Sequence, residues 1–140
     1  VIMACKSILY TAMQTPVTVA EGGVIPLGST IRQHGCDVRL NGNAVNIFGG
    51  RGCDGIYDVD VSISLAPTAA GAITATLYKD GVAYPGATAT ATATAAGNEI
   101  NLSFPASVRQ ACRAAGASLT LVLSGGGATV NNVALRVKTA

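Results

Sequence analysis

From Gly55 to Leu65 the chain alternates: Tyr57, Val59, Val61, Ile63 and Leu65 are apolar, and Asp58, Asp60, Ser62 and Ser64 stand between them. A period of two puts successive side chains on opposite faces of a sheet. The stretch therefore predicts one long strand with one buried side. A helix would scatter the aspartates among the apolar residues and bury some of them unpaired.

The same pattern recurs along the chain. Ser7 to Ala12 alternates weakly and suits a short first strand, and Thr15 to Val19 reads as an extended edge segment, because Pro16 removes a ladder donor. Cys36 to Leu40 alternates up to Asn41-Gly42, a strong two-residue hairpin signal, and Ala44 to Phe48 is the returning strand. Ala72 to Lys79 presents Ile73, Ala75 and Leu77 inward, and Asp80-Gly81 predicts a second tight hairpin. Pro85-Gly86 interrupts the return. Ala87 to Ala95 then alternates alanine and threonine. Its low complexity admits disorder, but β-branched threonine at every second position favours a pleated strand whose alanine side lets another layer or another subunit approach closely. Glu99 to Phe104 is a strand that Pro105 is expected to end. Ser107 to Ala115 is the one short helix candidate, with a serine N-cap, Arg109 and Arg113 four apart, and Gly116 beyond. Ala117 to Ser124 and Val130 to Lys138 complete the set. About eight to ten strands with regularly spaced turns predict an all-β, antiparallel jelly-roll sandwich.

Composition narrows the picture. A chain of 140 residues suits a single domain, residues 1–140. Hydrophobic residues make up 49%, much of it alanine, and charged residues only 11%, so the core is thin and the surface bland. Either copies of the chain cover part of that surface, or a compact monomer carries it. The net charge is +2 and the basic residues are scattered from Lys6 to Lys138, which argues against a nucleic-acid groove. Tryptophan is absent and aromatics are 4%, a poor supply for stacking bases or sugars. No apolar run reaches the roughly 18 residues of a membrane helix. Val1 to Tyr10 is too short and broken for a signal peptide. Met3-Ala-Cys-Lys reads as a native start, with Val1 and Ile2 foreign to it. Synthesis in the cytoplasm is expected, which leaves export by lysis open.

Candidate chemistry is sparse. Cys5, Cys36, Cys53 and Cys112 form no C-x-x-C, and His34 is the single histidine, so a zinc site and an enzyme centre are poorly supplied. A Cys-His pair using Cys36 or Cys53 lacks an orienting third group; Asp37 is merely near in sequence. Cys36 and Cys53 flank the hairpin from Val38 to Phe48, which brings its ends together. They are expected to be proximal thiols, or a disulfide if their Cα atoms come within about 7 Å. Such a bridge would contribute roughly 3 kcal/mol in the chain-entropy model. A reducing cytosol favours the free thiols. Asp54, Asp58 and Asp60 are the acidic cluster. Asp58 and Asp60 share a strand face roughly 7 Å apart. Carboxylates from three copies around an axis could supply a calcium site, but a solvated strand face, or pairing with Arg39 or Arg136 across the sheet, is the favoured reading. Arg51-Gly-Cys-Asp54 is an interrupted Arg-Gly-Asp and reads as a turn, and Gly125-Gly-Gly127 lacks the Lys-Ser/Thr of a phosphate loop. No cofactor is expected.

Gly55-Ile-Tyr-Asp-Val-Asp60 resembles the glycine-aromatic strand of the tumour-necrosis-factor and complement globular-head jelly rolls. Leu77-Tyr-Lys-Asp-Gly-Val82, followed by Tyr84-Pro-Gly-Ala87, is similar to their hairpin, and closer to the domain capping spore-coat collagen-like proteins. Val130 to Lys138 resembles their closing strand. Met3 to Ser7, with Gly28-Ser-Thr-Ile-Arg32 and Gly35-Cys36, is similar to small jelly-roll proteins of phages and prophages in gut Firmicutes. The resemblance implies a ten-stranded jelly roll forming a tight homotrimer, with the inner sheets around a three-fold axis. It implies a structural virion protein, a capsid decoration or head-fibre module without catalytic activity. That protein would be made in the bacterial cytoplasm, released by lysis, and partnered by itself and other virion proteins. The alternative is a trimeric receptor- or glycan-binding tip of a phage fibre or bacterial surface protein, partnered by a host-surface receptor. No nucleic acid or membrane partner is expected. This chain has fewer core aromatics than the animal relatives, so their receptor surfaces do not transfer.

Overall fold

The computed structural model describes residues 7–34, 38–47, 55–110 and 117–139. They form eleven strands: β1 (Ile8–Met13), β2 (Val17–Val19), β3 (Ser29–His34), β4 (Val38–Asn41), β5 (Ala44–Ile47), β6 (Gly55–Pro67), β7 (Gly71–Lys79), β8 (Val82–Ala93), β9 (Ile100–Gln110), β10 (Ala117–Ser124) and β11 (Ala128–Thr139). Two antiparallel sheets make a jelly-roll sandwich. Sheet A runs β3-β1-β11-β6-β9, with β2 also on β11; sheet B runs β4-β5-β10-β7-β8. β1 pairs with the Val133–Lys138 part of β11 and β2 with Ala128–Val130, so the two short strands lie end to end along one long one.

Alternation becomes packing. In β6, Tyr57, Val59, Val61, Ile63 and Leu65 are buried, as the period of two requires. They meet Leu77, Leu119, Leu121 and Leu123 of sheet B in one core cluster. Each such side chain contributes roughly 1.5–3 kcal/mol on burial. β6 lies between β11 and β9, and its register with both is continuous over most of its length.

The alanine-threonine stretch is strand β8. Its alanines pair with the inward residues of β7, Ala89 with Ala75 and Ala91 with Ile73, so the small side faces the other layer of the sandwich. The threonines face out. Thr90 and Thr74 share a hydroxyl hydrogen bond of 2.7 Å, and Thr88 and Thr76 one of 3.1 Å. The β7–β8 hairpin turns through Asp80 at φ 53° and Gly81 at φ 82°. Two positive φ angles in a two-residue loop are what the twist of a hairpin demands. Asp80 also clamps the hairpin to β10: its N–H donates to the Ser118 carbonyl at 2.8 Å, and its Oδ1 accepts from the Ser118 N–H at 2.9 Å.

Three expectations change. Pro105 does not end its strand, which continues as β9 to Gln110. Ser107 to Gln110 are therefore strand and not the start of a helix; 111–116 lie outside the described residues. β3 is an additional strand. All six of its residues are exposed, so it shows no alternation in sequence. With it and the three-residue β2 the count reaches eleven rather than ten.

Candidate functional site

Strand register assembles two rows of side chains across the outer face of sheet A. One reads His34, Ile8, Lys138, Asp58, Ser107, and the next Arg32, Tyr10, Arg136, Asp60, Pro105. Directly paired residues share a face, so residues from five strands converge here although they are distant in sequence. Cations stand toward β3 and β11, carboxylates on β6. Farther along the face the side chains become small and neutral: Ala12 with Ala134, then Ser62 with Ser103, and beyond them Ser64 with Asn101. The Asn101 amide donates to the hydroxyls of Ser62 and Ser64 at 3.5 and 3.3 Å.

Asp60 is paired. Arg136 donates from Nη2 at 2.6 Å and from Nε at 3.2 Å, both to Oδ2, with each side chain about half exposed at 48%. Of the two arginines expected to pair there, Arg136 does so, and Arg39 lies on β4 in the other sheet. Asp58 stands between Lys138 and Ser107. The described residues contain no group of three His, Cys, Asp or Glu side chains able to hold a metal ion. Within one chain the guanidinium already holds Asp60, and a cation there would compete with it.

A cleft of about 870 Å³ opens over this end of the sheet. Its floor is Asp58, Asp60, Pro105 and Ser107, and its wall is Tyr84 and Pro85 from β8. The wall exists because β8 bulges. Thr88 lies opposite Thr76 and Ala83 opposite Tyr78, so Tyr84 to Ala87 stand against Leu77 alone. Gly86, at φ 79°, takes the conformation that turns the extra chain. A bulge re-aims a side chain, and here it sends Tyr84 across to β9, where its hydroxyl donates to the Ser107 carbonyl at 2.5 Å. The sequence flags Pro85-Gly86 as an irregularity. It carries no signal for which strand Tyr84 would reach.

His34 ends β3 beside Ile8. Cys36, Asp37 and Cys53 lie outside the described residues. The hairpin expected between the two cysteines is present, with Val38 opposite Ile47. No described helix is long and apolar enough to cross a membrane.

No family model matches the chain, and no curated protein does. Solved structures do. The tumour-necrosis-factor protein Eiger from S. frugiperda aligns over 97% of this chain and 92% of its own, at a TM-score of 0.72 and 11% identity. The globular domain of zebrafish complement 1qA aligns over 95% and 94%, at 0.59 and 8%. Vertex protein P5 of PRD1 aligns over 98% of both chains, at 0.58 and 10%. At such identities the likeness is one of fold. The chain is an all-β sandwich of the jelly-roll type those proteins share.

Proposed function

We propose that this chain is a structural module of a bacteriophage particle, a homotrimeric capsid decoration or head-fibre component without catalytic activity. The observation that carries the reading is the full-length likeness to a phage vertex protein alongside tumour-necrosis-factor and complement heads. A jelly roll hosts many functions, so the fold alone does not choose among them. The outer face of sheet A supports self-association: small Ala12, Ala134, Ser62 and Ser103 keep it flat, and exposed Tyr10 gives it an apolar anchor. Its partners are then further copies of itself and neighbouring virion proteins.

The cleft over Asp58 favours a second reading, a receptor- or glycan-binding fibre tip, because a concave site with a few convergent polar groups is the ordinary form of a ligand pocket. Quantitative mass spectrometry of purified particles separates the two. Hundreds of copies per particle are expected for decoration, a handful would support the tip, and absence from the particle would overturn both.

A further inference from the structure

Among the described strands β9 pairs with β6 alone, which leaves the other side of an eleven-residue strand as the edge of sheet A. A long edge offers its unpaired N–H and C=O groups as a template for another strand. Three successive outward positions on this edge each withhold one backbone group from an incoming strand. Tyr84 donates its hydroxyl to the Ser107 carbonyl, and Lys79 donates its ammonium to the Arg109 carbonyl at 3.1 Å. Both donors come from sheet B, so Ser107 and Arg109 direct their backbone groups away from β6. Backbone direction alternates along a strand, so Pro105, two residues earlier, belongs to the same outward set. Its missing N–H is missing at the edge and not in the β6 ladder, which is where a strand tolerates proline. Both donors depend on the β7–β8 hairpin: Lys79 ends β7, and Tyr84 is aimed by the four-against-one bulge.

We infer that Tyr84 and Lys79, with Pro105, form a latch that closes the β9 edge to strand addition by a second copy of this chain. Copies then meet through side chains on the sheet faces, and association stops at a closed oligomer instead of running on as an edge-paired polymer. The inference concerns the edge alone and does not depend on a role in a virus particle.

The test is the full chain carrying Tyr84→Phe, Lys79→Met and Pro105→Val together. Light scattering follows mass from micromolar to millimolar concentration, and infrared spectroscopy follows intermolecular strand pairing. The expected result is a severalfold rise in edge-paired, high-mass species with an unchanged near-ultraviolet dichroism spectrum. Pro105→Val alone adds one outward donor and removes no hydrogen bond. It should give the same species in smaller amount, and it decides the matter if the triple variant does not fold. Leu102→Val, a core change on the same strand, matches the loss of melting temperature. If Leu102→Val associates as strongly as the edge variants, or if Pro105→Val keeps the parent mass at every concentration, the latch is overturned.

Discussion

The two sheets turn different chemistry outward. Over β7 and β8, sheet B shows threonines whose hydroxyls bond one another in cross-strand pairs, Thr74 with Thr90 and Thr76 with Thr88. Those hydroxyls satisfy one another within the sheet. Sheet A presents two charged rows at one end, with Tyr10 exposed in the second between Arg32 and Arg136, and small, neutral residues beyond them. One strand pattern, polar out and apolar in, thus produces a hydroxyl-paired face and a charged one. The difference lies in which outward residues were chosen, since the inward ones do the same work in both sheets: they fill a single core.

The largest expected effect separates the inner from the outer side of sheet A. Val61→Asp puts an unpaired charge into the core and should cost several kcal/mol, read as a collapse of the urea midpoint. Ser62→Asp, one residue on, faces out and should shift that midpoint far less. Equal losses would mean that the two sides of β6 are not distinct environments.

That contrast was legible in the sequence because alternation reports a buried face directly. The Asp80-Gly81 turn was legible for a local reason too: both residues supply positive φ angles. The β4–β5 hairpin was legible to within one residue: Asn41 still pairs with Ala44, so its loop is Gly42-Asn43, and Gly42 alone takes a positive φ, of 61°. What escaped depends on register. Whether Pro105 ends a strand depends on whether its nitrogen faces the ladder or the edge, and only the pairing of β9 with β6 fixes that. Ser107, Arg109 and Arg113 have the spacing of a helix start, yet Ser107–Gln110 continue the strand because β6 offers a partner for each residue there. β3 carries no alternation because both of its faces are exposed. For Asp60 the sequence offers a solvated face or either of two arginines, and the β6–β11 register selects Arg136, 76 residues away. The aim of Tyr84 had no local signal.

Smaller effects sharpen the comparison. Asp60→Asn removes the ion pair with Arg136, which is half exposed, and should cost about 0.2–1 kcal/mol at low salt. The loss should shrink as salt screens the pair, so chemical denaturation by urea at two salt concentrations checks it. Thr90→Val removes the hydroxyl bond to Thr74 but keeps the β-branched shape. It should cost about half a kcal/mol or less, without salt dependence. A salt-sensitive Thr90→Val, or an insensitive Asp60→Asn, would reverse the roles given to the two faces.

Sedimentation equilibrium of the parent chain beside Ser62→Arg and Thr90→Arg tests the central claim most directly. The first variant places a long cation in the small-residue stretch of sheet A, and the second places the same cation on the threonine face of sheet B. The parent and Thr90→Arg should both sediment at about three times 13.9 kDa, and Ser62→Arg at 13.9 kDa with an unchanged fold. A monomeric parent, or a trimer that survives Ser62→Arg and dissociates with Thr90→Arg, would contradict association through the outer face of sheet A.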